Sequence, residues 1–143
     1  MFDIPELTIA VASPWVEDVR ELLRKTASDD GATDAEILAP NAELLLARVG
    51  GKAVGCIVLL DHLRFGEAKR LYVDPDLRGS GIGAALVAAL ESAARDIGLK
   101  VVTIQPERLG HMTPERFTGF GFEPTSQAVL GRSGHRLEKR LSS

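Results

Sequence analysis

The chain has one cysteine, Cys56, and three histidines among 143 residues. A single thiol excludes an internal disulfide and any zinc site built from several cysteines, and it is compatible with a reducing compartment. Cys56 sits in an apolar run, where it reads as a small buried hydrophobe and not as a nucleophile. His62, His111 and His135 show no ligand spacing and fall in expected loops or strand ends, so they read as surface residues and no metal is expected. No apolar run approaches the length of a membrane span. The start Met1-Phe2-Asp3-Ile4-Pro5-Glu6 lacks both a basic segment and a long apolar segment, so a soluble cytoplasmic protein is expected. Nor is there an excess of positive charge. Seventeen Lys and Arg against twenty Asp and Glu give a net charge of −3, well mixed along the chain, which argues against a nucleic-acid surface and suits cationic acceptors such as amines.

What is present fits one domain spanning residues 1–143, since a chain of this length buries an adequate core without cross-links. No repeat, linker or low-complexity segment interrupts it. Leu7 to Val11 reads as a short strand, and Ser13-Pro14 as an N-cap followed by a first-turn proline, with Trp15, Val16, Val19, Leu22 and Leu23 on one helical face. Trp15 is expected to pack in the core or at its rim. Ser28 to Gly31 reads as a loop, and Thr33 to Glu36 as a capping box opening a short helix stopped by Pro40. Leu44 to Val49 and Ala53 to Leu60 are strands joined by a Gly50-Gly51-Lys52 hairpin, the second buried on both faces. A turn from Asp61 to Gly66 leads into a strand ending at Val73. From Gly81 or Ile82 a helix carries the apolar face Ile82, Leu86, Leu90, Ala94 and Ile97 to Gly98, and Leu99 to Ile104 forms the next strand. Strand, helix and strand make a crossover that forces parallel pairing. Thr113 opens a last short helix, and Gln127 to Leu130 with His135 to Leu141 form a terminal hairpin.

The most informative stretch is Leu71-Tyr72-Val73-Asp74-Pro75-Asp76-Leu77-Arg78-Gly79-Ser80-Gly81-Ile82-Gly83-Ala84, a strand that feeds through a turn into a glycine-rich helix start. Backbone N–H groups without intrahelical partners, bare of side chains and at a positive dipole end, let a phosphate approach closely, and Arg78 adds a permanent cation at the rim. The same glycines also suit a tight turn under a closely packed helix. A P-loop is ruled out because Ile82-Gly83-Ala84 stands where Gly-Lys-Ser/Thr is required. The G-x-G-x-G spacing is likewise not the dinucleotide G-x-G-x-x-G.

Arg78-Gly79-Ser80-Gly81-Ile82-Gly83 resembles the coenzyme A loop of the GNAT superfamily of N-acetyltransferases, Arg/Gln-x-x-Gly-x-Gly/Ala after a strand, at every defined position. The likeness continues upstream through Glu67 to Pro75 and downstream to Gly121-Phe122-Glu123-Pro124 and Leu137 to Leu141. It covers most of the second half of the chain, with a looser match before it. The resemblance implies an α/β domain with a central, mostly antiparallel mixed sheet, one parallel crossover and helices on both faces. It implies acetyl-CoA as co-substrate and an amine-bearing small molecule or peptide as acceptor; a homodimer is left open. The strand ending at Val73 and the strand Val101 to Ile104 would splay apart. Backbone groups of Leu71, Tyr72 and Val73 would then meet the pantetheine amides, and the N–H groups of Gly79, Ser80, Gly81, Ile82, Gly83 and Ala84 would receive the diphosphate beside Arg78.

Amide formation from a thioester needs a neutral amine, and an amine of reference pKa about 10.4 is neutral in roughly one molecule per thousand at pH 7. Glu67 stands where several relatives carry a glutamate base. It reads either as that base or as the partner in an ion pair with Lys69 or a neighbouring strand. Lys69 and Arg70 read either as solvated, the preferred expectation, or with one of them holding an acceptor carboxylate. Many relatives carry a tyrosine general acid four residues before the Gly-Phe pair, where this chain has Phe117, so the resemblance also leaves open an acyl-CoA-binding sensor with little catalysis; Tyr72 reads as a packing residue in preference to a substitute acid. Phe117 and Phe120 pack either on the coenzyme or between helix and sheet.

Overall fold

The computed structural model describes residues 6–30, 38–104, 117, 119–124 and 137–141, with only the backbone described over 26–30. Strand β1 (Leu7–Val11) precedes helix α1 (Glu17–Asp30), strands β2 (Ala42–Val49), β3 (Lys52–Asp61) and β4 (Gly66–Val73), a 3-10 turn (Pro75–Leu77) and helix α2 (Ile82–Asp96). Strands β5 (Val101–Ile104), β6 (Glu123–Pro124) and β7 (Leu137–Arg140) complete one seven-stranded sheet of order β1-β2-β3-β4-β5-β7-β6. All pairings are antiparallel except β4 with β5, as the crossover through α2 requires. The capping box at 33–36, the helix start at Thr113, the strand Gln127 to Leu130, and His111 and His135 lie outside the described residues. β7 runs between β5 and β6 and pairs Glu138 with Glu123 and Leu137 with Pro124, so its described hairpin partner is β6.

The helices cover opposite faces because β3 alternates between two apolar sets. Val54, Ile57 and Leu59 join Ile82, Leu86, Val87, Leu90 and Ala94 of α2, while Cys56, Val58 and Leu60 join Val19, Leu22 and Leu23 of α1. Sequestering both sets leaves β3 buried from Val54 to Leu60, as its unbroken apolar run predicts.

Three local expectations are corrected. Ser13 Oγ accepts a hydrogen bond from Trp15 N at 3.2 Å, forming a turn of its own, and α1 begins only at Glu17. Trp15 and Val16 therefore precede the helix and remain 67 % and 48 % exposed, outside the core. Ile97 is the C-cap of α2 and is also exposed. Gly98, at φ +90°, donates to Arg95 O and Leu99 N donates to Ala94 O, a Schellman closure that turns the chain before Ile97 can reach the buried face.

Two ionic contacts fasten the periphery. Arg48 donates to both Asp18 oxygens, the shorter bond 2.6 Å, and to Gly51 O at 2.8 Å, joining α1 to the β2–β3 turn; the Arg48 hydrogen bond holds the Asp18 carboxyl below its usual range. Buried Glu91 of α2 meets Lys139 Nζ of β7 at 2.7 Å and Arg95 at 3.8 Å, and Lys139 also donates to Phe120 O at 2.8 Å. Removing Lys139 leaves a buried carboxylate with the more distant Arg95 alone. Lys139→Ala is therefore expected to destabilise the fold by about 2 to 3 kcal/mol, read by urea unfolding, whereas an unchanged midpoint would show the pair to be passive.

Candidate active site

The register between β3 and β4 slips at one point. Cys56 pairs with Tyr72 and Val58 with Lys69, so Ile57 alone faces Arg70 and Leu71, and Arg70 takes φ +57°. This bulge reverses the alternation along β4. Ala68, before it, shares the α2-side core with Leu71 and Val73 beyond it. Glu67 and Lys69 share the other face with Tyr72, which packs on the α1-side cluster. Cys56 Sγ donates to Arg70 O at 3.4 Å across the bulge; burial pushes the thiol up to about 12, so it remains a protonated donor and an inert thiol. Lys69 and Arg70 are not solvated as expected: the Lys69 side chain is 15 % exposed and Arg70 only 2 %.

β5 pairs with β4 only at Gly66, Glu67 and Ala68. The last described pair is Ala68 with Ile104, where β5 ends, and among the described residues no strand pairs with that edge of β4 from Lys69 to Val73. The Val73 carbonyl accepts from Arg78 Nε at 2.9 Å, and the guanidinium carbon lies 5.6 Å from the centre of the Tyr72 ring. Arg78 thus folds back over the end of β4, and occupies one of the carbonyls expected to be open.

The segment after β4 is shaped by its own polar groups. Asp74 Oδ1 accepts from Asp76 N at 3.0 Å, Arg78 N donates to Pro75 O, and Ser80 donates to Leu77 O through both its backbone N–H and its hydroxyl. Gly79 and Gly81 stand at φ +85° and +96°, conformations that a side chain strains. The first helical bond runs from Ala85 N to Gly81 O at 3.0 Å, and Gly81 offers no side-chain cap. The N–H groups of Ile82, Gly83 and Ala84 therefore precede the intrahelical ladder at the positive end of a fifteen-residue helix. The buried Ile82 side chain anchors this turn against the core.

Glu67 is buried, with its side chain 11 % exposed. Its Oε1 lies 3.0 Å from His62 Nε2 and its Oε2 lies 3.9 Å from Lys69 Nζ. Opposite it on β5 is buried Thr103, whose hydroxyl donates to Gly66 O at 3.5 Å. The ion-pair expectation for Glu67 is thus met, with Lys69 as the longer contact and His62 as the partner that reading the sequence overlooked. Its signal was the turn length: pairing Asp61 with Gly66 puts the two residues flanking that pair, Leu60 and His62, within reach of Glu67.

Phe117 is fully buried, in edge contact with Phe120 and Phe122 at 6.1 Å between centroids. It packs inside the α2-side core, which decides its alternatives in favour of packing. Among the described residues no group of three His, Cys, Asp or Glu could hold a metal ion, and no helix is long and apolar enough to cross a membrane.

Residues 12–111 match the family model described as the acetyltransferase (GNAT) family. The chain is similar to the IAA acetyltransferase of Azospirillum brasilense, 32% identical over 114 residues that cover 71% of this chain and 74% of that protein. It is also similar to N-acetyltransferase 8F1 of Rattus norvegicus, 28% identical over 130 residues, 87% of this chain but 58% of that longer protein. The fold matches that of an aminoglycoside 6'-N-acetyltransferase complexed with coenzyme A, with a TM-score of 0.78 at 14% identity over 95% of this chain and 98% of that one.

Proposed function

The chain belongs to the GNAT acetyltransferase family, and from that premise we propose that residues 1–143 form one domain that transfers the acetyl group of acetyl-CoA to a primary amine of a small molecule or peptide by direct attack. The observation that carries this reading is the placement of a buried carboxylate, Glu67, within the parallel β4–β5 pairing, on the strand that leads into the glycine-rich start of α2. Bound acetyl-CoA supplies the activated acyl thioester; the chain's own residues do the rest. The N–H groups of Gly79 and of Gly81 to Ala84 receive the diphosphate, with Arg78 as a cation at the rim; the Ser80 N–H, expected to join them, is engaged with Leu77 O. The backbone of Leu71 and the N–H of Val73 hold the pantetheine along the edge of β4 away from β3; Tyr72, in register with Cys56 and in phase with Asp74, whose N–H donates to Val54 O, turns its own backbone groups to β3 and is not placed for the role expected of it. Glu67 takes the proton that an ammonium must lose, a step that otherwise costs about 4 to 5 kcal/mol at pH 7 for a lysine-like amine.

The tyrosine that many relatives carry is Phe117 here, and Tyr72, the chain's one tyrosine, packs on the α1-side cluster beside Arg78. A thiol of reference pKa about 8.5 leaves tolerably as its anion near neutral pH, so turnover proceeds without that acid. Since Phe117 is buried among apolar groups, Phe117→Tyr is expected to bury an unpaired hydroxyl, lower the melting temperature and leave turnover unimproved. A rise in turnover of about tenfold or more would mean that position 117 does reach the reacting atoms.

Thiol release from acetyl-CoA, measured across a panel of amines, tests the assignment. Amine-dependent release is expected. Saturable acetyl-CoA binding with no release on any amine would instead favour a sensor.

A further inference from the structure

We propose that His62 is a positioning residue for Glu67: its imidazole fixes the carboxylate so that one oxygen is tethered and the other is presented to the amine proton. This rests on the reading of Glu67 as the base.

The turn between β3 and β4 is braced from both sides. Asp61 and Asn41 exchange hydrogen bonds, Asp61 N to Asn41 O at 2.9 Å and Asn41 Nδ2 to Asp61 O at 3.0 Å. Within the turn, Asp61 Oδ1 accepts from Leu63 N at 2.8 Å, Leu63 takes φ +72°, His62 N donates to Phe65 O at 3.0 Å and Arg64 N donates to His62 O at 2.9 Å. The Phe65 ring then stacks on the His62 imidazole, 4.8 Å between centroids and 28° between planes. Backbone and ring are both restrained, so Nε2 is held at 3.0 Å from Glu67 Oε1.

The chemistry of the contact follows from what each group can do. An ionised carboxylate only accepts, so the hydrogen between the two lies on Nε2 and His62 is the donor. One lone pair of Oε1 is thereby engaged, and Oε2 is the oxygen that His62 leaves clear to receive a proton. That oxygen is 3.9 Å from Lys69 Nζ, beyond hydrogen-bonding distance, so Lys69 adds charge without occupying it. The imidazole is also the more exposed partner, 35 % against 11 % for the carboxylate, and so stands between a buried base and solvent. A buried carboxylate without this donor would turn toward Lys69 or water and lose the orientation on which proton transfer depends.

The test is steady-state acetylation by His62→Ala, His62→Gln, Glu67→Gln and the double variant His62→Ala/Glu67→Gln, each first checked for a native melting transition. His62→Ala is expected to lower kcat about ten- to a hundredfold with little change in KM for acetyl-CoA. His62→Gln, whose amide N–H takes the place of Nε2–H, is expected to recover most of that loss. In the Glu67→Gln background, removing His62 is expected to cost almost nothing more, because the two act as a unit. Wild-type kcat in His62→Ala, no recovery in His62→Gln, or losses that multiply in the double variant would each overturn the proposal. If Glu67→Gln alone keeps wild-type turnover, the base assignment falls and the proposal with it. If Glu67→Gln is impaired while His62→Ala is not, only the role of His62 falls.

Discussion

Glu67→Gln lowers turnover about 10²-fold or more while leaving acetyl-CoA affinity unchanged. The substitution is close to isosteric, and the glutamine oxygen still accepts from His62, so the packing of the β3–β4 turn is preserved and the loss isolates the proton acceptor. The effect has a pH signature that a structural role would not have. Below the amine's own pKa, each unit by which the pH rises multiplies the neutral fraction about tenfold, so an alkaline medium performs the deprotonation that Glu67 otherwise performs, and the deficit shrinks as pH rises toward about 10. A steady-state profile from pH 6 to 10 with a saturating amine reads this directly. Turnover equal to wild type near pH 7 would return Glu67 to an ion-pair role with His62 and Lys69.

The second large effect is at Gly81. Gly81→Glu abolishes acetyl-CoA binding in a calorimetric titration, because a carboxylate at the cap of α2 meets the diphosphate's own negative charge, a juxtaposition that costs several kcal/mol, on the order of a 10²- to 10³-fold loss. The backbone adds a complication. Gly81 is at φ +96°, so any side chain strains it by roughly 1 to 2 kcal/mol. Gly81→Ala carries the strain without the charge and is expected to lower stability while retaining much of the affinity. If the alanine variant binds as poorly as the glutamate variant, the loop is a shape requirement and not an anion site. If both bind normally, the diphosphate lies elsewhere.

Most of the fold was legible because most of it obeys a single period. The β2–β3 hairpin, the buried β3 and the apolar face of α2 were each expected within a residue or two of where they stand, and the parallel β4–β5 pair follows from the crossover. Two of the departures share a cause, a local device that breaks the period. Ser13 spends its hydroxyl on a turn at Trp15, which delays α1 and leaves Trp15 outside. The bulge at Arg70 reverses the alternation of β4, so a plain period of two would put Leu71 on the face of Glu67 and turn Arg70 the wrong way. The placement of β7 between β5 and β6 is a long-range choice with no local mark.

The site divides along the same line. The glycine turn and the carboxylate on β4 lie close together in the chain, so a sequence motif alone suffices to nominate them. His62 was passed over because it contacts Glu67 through strand register and through the stacking of Phe65, neither of which leaves a spacing motif. Phe117 was ambiguous for a related reason: an aromatic residue near a cleft reads alike whether it lines the cleft or fills the core behind it, and only its burial separates the two.

The measurement that bears most directly on the account is a crystal structure of the chain with coenzyme A and an amine acceptor. The account predicts the diphosphate on the N–H groups of Gly79 and of Gly81 to Ala84, pantetheine along the edge of β4 from Leu71 to Val73, and the amine nitrogen within one water of Glu67 Oε2, with His62 still bound to Oε1. Coenzyme seated away from the start of α2, or an amine separated from Glu67 by more than one water, would contradict it.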